Sequence, residues 1–123
     1  MTKEAALQAF FGRFLTAYQE DTVPTGENKP SFPYLTYEVA TGSWDEPTAL
    51  SVSLWYRSTS WVAPNAKAQE ISETISRGGV YVPCDGGAIY ITRGTPFARS
   101  ASDTDDMVRR KILNIMVEYL TED

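Results

Sequence analysis

The chain of 123 residues contains no histidine. That removes the commonest general base, the commonest metal ligand and the side chain that changes charge near neutral pH. It contains one cysteine, Cys84. No disulfide can form within the chain, and no cysteine-rich zinc site is available. A lone thiol fits a reducing compartment. Basic residues are the minority: 11 Lys and Arg face 16 Asp and Glu, giving a formal net charge of -5 and a pI near 4.7. A general nucleic-acid binder would carry a basic face, so this composition argues against one. No apolar run approaches the ~18 residues of a membrane-spanning helix. The opening stretch "MTKEAALQAFFGRFLTAYQED" lacks a signal-peptide pattern, because acidic and polar residues interrupt it and no small-residue cleavage site follows. The cytoplasm of the producing cell is the expected location. What is present, 42% hydrophobic and 22% charged residues, is ordinary for one folded domain.

Thr2 is placed to cap a first helix. Behind it Leu7, Phe10, Phe11, Phe14, Leu15 and Tyr18 recur at spacings of three and four, an apolar stripe for packing on a sheet. A membrane-surface helix would need a Lys/Arg-rich opposite face, which is missing. "VPTGENKPSF" (Val23 to Phe32) reads as a loop. "PYLTYEVA" and "ALSVSLWYRS" alternate as strands, with "TGSWDEP" as the turn-rich connection. Pro64 or Asn65 is expected to open a second helix with Ala68, Ile71 and Ile75 on its apolar edge, and Gly78 and Gly79 to end it. "VYVPC" and "AIYITR" flank Asp85-Gly86-Gly87, a strong hairpin signal, and Pro83 suits an edge strand or a strand end. The last segment, "DMVRRKILNIMVEYL", fits either period: Val108, Ile112, Ile115, Met116 and Tyr119 suit a helix, while Leu113, Ile115, Val117 and Tyr119 alternate. The expected class is a single α+β domain spanning residues 1–123, with a mostly antiparallel sheet packed by the two helices.

Candidate chemistry is sparse. Cys84 has no histidine to activate it, and Asp85 opposes its ionisation. Its glycines are not followed by the Lys-Ser/Thr of a phosphate loop. A hairpin turn is the simpler reading. Asp103, Asp105 and Asp106 cluster in "SDTDD", but the ligand array of a calcium loop is absent, so a solvated acidic turn is expected. Arg109-Arg110-Lys111 is too short for DNA binding; it suits pairing with the preceding acidic turn or with a partner. Trp44 in a turn, Trp61 past a strand and Trp55 on an outer strand face are large aromatics where contacts with another chain occur.

Taken in order, "FPYLTYEVATGSW", "SLWYRSTSW", "ISRGG", "GGAIYITRGTPFAR" and "RRKILNIMVEYL" resemble the small neck proteins of long-tailed bacteriophages and prophages of Gram-positive hosts. The nearest type is the tail terminator, or tail completion, protein, and the resemblance runs from about Leu7 to Leu120. It implies a virion structural protein without catalysis, cofactor or metal. Such a protein forms a ring, usually a hexamer, that caps the tail tube and joins it to the head connector, after assembly in the host cytoplasm. The implied partners are further copies of itself, the major tail tube protein and the connector protein. DNA passes through the lumen without specific binding, and no membrane is involved. The resemblance also implies that the last segment is a strand, giving the order α-β-β-α-β-β-β. Trp44, Asp45, Trp61, Arg109 and Arg110 are candidate interface residues, and the loop Val23–Phe32 and turn Thr41–Pro47 candidate ring contacts. Asp103, Asp105 and Asp106 are acidic candidates for the lumen, where negative charge would repel phosphate. The alternatives are a head-closure, connector or minor capsid protein, and a small metal-dependent hydrolase built on Asp103–Asp106.

Overall fold

The computed structural model describes residues 1–39 and 47–121. Their elements run α1 (Lys3–Gly12), β1 (Ala17–Gln19), β2 (Tyr34–Tyr37), β3 (Thr48–Arg57), α2 (Val62–Ile75), β4 (Val80–Cys84), β5 (Gly87–Ala101) and β6 (Val108–Thr121), with short 3-10 turns at Glu20–Thr22 and Gly26–Asn28. One six-stranded sheet of order β1-β2-β3-β6-β5-β4 carries both helices. All its pairings are antiparallel except β1 with β2. This is a mixed domain with more sheet than helix.

The helices cover one face only. Leu7, Phe10 and Phe11 of α1 and Ala68, Ile71 and Ile75 of α2 are buried in a single cluster with Leu35, Leu54, Leu113 and Ile115 of the sheet. Alternation along each strand places these sheet residues together and sends Thr36, Ser53, Trp55 and Arg110 to the opposite face.

Several expected boundaries move. Thr2 does cap α1, accepting from the Ala5 N–H at 3.1 Å. The helix stops at Gly12, however, so Phe14, Leu15 and Tyr18 lie beyond it. The same apolar run then supplies β1, a strand absent from the expected order. Its Ala17 is buried, and the Leu35 N–H of β2 donates to the carbonyl of neighbouring Thr16. Helix α2 begins at Val62, before Pro64, because Ser60 Oγ accepts the Val62 N–H at 3.1 Å and a proline is tolerated in a first turn. Its exit is Ser76, at φ 65, rather than Gly78 or Gly79. Gly79 is needed for a different reason: at φ 85 a Cβ there would lie 2.8 Å from the Ile91 carbonyl oxygen. Strand β5 runs on past Arg93, through an irregularity between Arg93 and Ala98, to Ala101. The last segment is strand β6, in the middle of the sheet between β3 and β5. Its Leu113, Ile115 and Val117 face the helices, while Ile112 is buried on the other side. Burial on both faces explains why its sequence shows neither period cleanly.

The Asp85-Gly86 turn joins β4 to β5 with Cys84 opposite Gly87, as the sequence predicts. Gly87 closes it tightly: at φ 155, a Cβ would approach the Leu120 carbonyl oxygen to 1.9 Å. Pro83 lies in β4, the edge strand at that side.

Candidate interaction face

On the face away from the helices, neighbouring strands place one side chain each in a row. Tyr18 of β1 meets Tyr34 of β2 edge-on, with ring centroids 6.2 Å apart. Tyr34 stacks on Trp55 of β3 at 6.0 Å and 12°. The Arg110 guanidinium of β6 lies 4.5 Å from the Trp55 ring. The row follows from register, because Tyr34 pairs with Trp55 and Trp55 with Arg110. Beneath it are two buried hydroxyls. Ser53, 1% exposed, accepts from Arg110 Nε at 3.1 Å and from a terminal guanidinium nitrogen at 3.0 Å. Thr36, 4% exposed, accepts from Trp55 Nε1 at 2.9 Å. Burial pushes the Tyr34 hydroxyl pKa up, and the negative charges of Asp103 and ionised Tyr18 add to it.

The row is flanked by exposed apolar groups. Phe32 packs on Tyr34 at 5.3 Å and remains open to solvent. At the β4 end of the sheet Tyr81 stacks on Tyr90 at 4.6 Å, and both Tyr81 and Leu120 are exposed. An open groove of about 960 Å³ runs between the loop at Val23–Phe32 and the side chains of Arg57, Asp103 and Asp105. The expected loop is therefore one wall of a groove.

The candidate residues are dispersed among these features. Trp61 is the N-terminal cap residue of α2 and lies half-buried in a second depression, of about 370 Å³, with Ser100 and Arg109. The Arg109 and Lys111 charges lie 5.7 and 5.8 Å from its ring. Arg109 also donates to the carbonyls of Asp106 and Thr59. Arg109 and Arg110, adjacent in sequence, point to opposite faces of β6 and do not form one basic patch. Trp44 and Asp45 lie outside the described residues.

The acidic turn is built by its own carboxylates. Asp103 accepts the Asp105 N–H at 3.0 Å, and Asp105 accepts the Met107 N–H at 2.9 Å and a salt bridge from Arg57 at 3.0 Å. These contacts, the Met107 N–H first and Arg57 second, hold the Asp105 carboxyl below its usual range. Among the described residues no group of three or more Asp, Glu, Cys or His is placed to hold a metal ion. Cys84 is half-buried; burial and then Asp85 raise its thiol pKa, the reverse of what a nucleophile requires. Among the described residues no helix is long and apolar enough to cross a membrane.

The Trp55–Arg110 pairing was not visible in the sequence, although both residues were singled out. Finding it requires knowing that β3 pairs with β6, across more than fifty intervening residues. Neither models of known protein families nor curated proteins show a match to this chain.

Proposed function

We propose that the chain is a structural subunit of a phage or prophage virion, acting at the junction of head and tail. Copies form a ring, a hexamer on this reading, that caps the tail tube and joins it to the head connector. DNA passes through without specific binding. The observation that carries the reading is the outer sheet face: no described helix covers it, and it is surfaced by the Tyr18–Tyr34–Trp55–Arg110 row together with exposed Phe32, Tyr81 and Leu120. Apolar and aromatic surface of this kind is what subunit and partner contacts use. The resemblance of the ordered motifs to tail terminators narrows the type of assembly. On this reading Asp103 and Asp106, both exposed, are available to line the lumen.

The test is absolute mass by light scattering over a wide concentration range, followed by binding to purified tail-tube ends. A species six times the 13.7 kDa protomer, or capture by tube ends, is the expected result. A protein that stays monomeric and ignores tube ends would sink the reading. Binding to connectors but not to tubes would move it to the head-closure station.

A further inference from the structure

We infer that neighbouring copies join head-to-tail into one continuous sheet, the β5 edge of one copy pairing antiparallel with the β1 edge of the next. This rests on the ring reading and specifies its contact.

Register places the two edges in line. Ala17 pairs with Leu35, Leu35 with Leu54, Leu54 with Lys111 and Lys111 with Ser100, so β1 and the far half of β5 end the same row of the sheet. The outer side of β5 is covered by β4 only from Gly87 to Ile91. Beyond it, among the described residues, no strand pairs with Ala98–Ala101 on that side. Strand direction also agrees. β1 and β2 run one way, β3 the other, β6 with β1, and β5 against it. A copy placed beside β5 in the same orientation presents β1 antiparallel to it, the more stable ladder.

The other free edge is guarded. Counting from the Cys84–Gly87 pair, alternation turns the Pro83 nitrogen away from β5, so the exposed side of β4 lacks a donor there. The β1 edge is open at Gln19, whereas Ala17, only 7% exposed, is covered from the α1 side. Its outward carbonyls, Ala17 and Gln19, each accept one side-chain hydrogen bond, from Gln8 at 2.8 Å and Thr22 at 2.9 Å. The Gln19 carbonyl keeps a second lone pair, and alternation points the Gln19 N–H outward.

Charge favours this pairing over like with like. The β1 end holds a cleft of about 200 Å³ lined by Glu20, Asp21 and Glu38, with all three exposed. The free stretch of β5 carries exposed Arg99 and leads into exposed Asp103 and Asp106; exposed Arg93, at its start, donates to Ser72 of α2 at 3.1 Å. Two β5 edges would oppose arginines, and two β1 edges would oppose carboxylates. Joining opposite ends is a heterologous contact, which repeats until the rotation per copy closes it.

The experiment is inter-copy disulfide trapping in a Cys84→Ala background, which removes the one native thiol. Ala17 in line with Ser100 puts Gln19 opposite Ala98 in this antiparallel contact, so three chains are compared after mild oxidation: Gln19→Cys, Ala98→Cys and both together. Cross-strand neighbours lie within disulfide reach. The double variant is expected to give a ladder of dimers, trimers and larger species on a denaturing gel, and the single variants none. Dimers from Ala98→Cys alone, or no ladder at all, would overturn the contact. Mass of the reduced samples and tube-end binding separate the two failures: a ring-sized species without a ladder leaves the ring and removes this interface, whereas a monomer that also ignores tube ends removes both. If a cysteine variant fails to fold, charge exchange replaces it. Glu20→Lys/Asp21→Lys and Arg93→Glu/Arg99→Glu should each fail to assemble alone and assemble when mixed. Assembly of either alone refutes the contact, as does failure of the mixture.

Discussion

Removing the Arg110 charge while keeping its stem, as in Arg110→Met, should destabilise the protein by about 2 kcal/mol. Two losses contribute. The guanidinium 4.5 Å from the Trp55 ring is a close cation–π pair, and a partly desolvated one contributes roughly 1 kcal/mol. The Ser53 hydroxyl, 1% exposed, loses both donors it accepts from, and a buried acceptor left unpaired costs about 1–3 kcal/mol. Urea unfolding followed by circular dichroism would register this as a midpoint shift of about 1 M, for a slope near 2 kcal/mol per molar. The two contributions can be separated. Adding Ser53→Ala to Arg110→Met removes the orphaned hydroxyl and should recover about half the loss. Adding Trp55→Leu removes the ring, and the double-mutant cycle with Arg110→Met should show a coupling of about 1 kcal/mol. Strict additivity of Trp55→Leu and Arg110→Met, within about 0.3 kcal/mol, would refute the claim that ring and guanidinium act as a unit.

Gly79→Ala and Gly87→Ala should each cost about 3 kcal/mol or more, from left-handed backbone and contact with carbonyl oxygens, while Gly78→Ala, with nothing within 4 Å of its Cβ, should stay within about 0.5 kcal/mol in the same urea assay. The Asp105 carboxyl titrates below its unfolded value of 3.8, so its contribution is complete above that pH and lost as pH falls through the folded pKa; Asp105→Asn should flatten the decline in stability below pH ~4, and an unchanged slope would count against the Met107 and Arg57 contacts. Burial and the nearby Glu4 push Tyr119 up to about 12 from 10.0, so its contribution is full below 10 and lost as pH rises towards 12; Tyr119→Phe should be less alkali-sensitive than the parent across that window. Cys84 should react with a thiol reagent more slowly in the folded chain than in urea, because burial and Asp85 hold its thiolate back.

Local signals were legible and non-local ones were not. The Asp85-Gly86 turn, the Thr2 cap and the apolar edge of α2 could be read because each depends on residues within a few positions. The end of α1 could not. Phe14, Leu15 and Tyr18 continue a helical spacing, yet tertiary pairing of β1 with β2 takes Ala17 and Tyr18 into a strand, where Ala17 is buried. Strand β6 was ambiguous for a physical reason: Leu113 and Ile115 are buried under the helices and Ile112 on the other face, so from Ile112 to Val117 the segment is apolar at every position but Asn114. The candidate face suffered most. Its row takes one residue from each of four strands that pair across long loops, and no spacing in the sequence records that register. Arg109 and Arg110 read as one basic run because neighbours in sequence become opposite faces only once the segment is known to be a strand.

That opposition has a consequence for assembly. Arg109 and Lys111 turn to the helix side and frame Trp61, while Arg110 turns to the bare face and supports Trp55. Neither tryptophan is a loose surface aromatic; each is held by a cation from the same strand. A side chain already fixed in one rotamer loses little entropy when a partner covers it, which is how interface anchors behave. Trp55 is further held by its bond to Thr36, whereas no described hydrogen bond fixes the Trp61 indole. If the bare face meets a partner, the cost of Trp55→Ala should therefore appear in both stability and binding. Replacing exposed Tyr81 or Leu120 should affect binding with little change in stability. Paired urea and tube-end binding measurements on Trp55→Ala and Tyr81→Ala distinguish the two, and a Tyr81→Ala chain that binds normally would exclude the β4 end of the face from the contact.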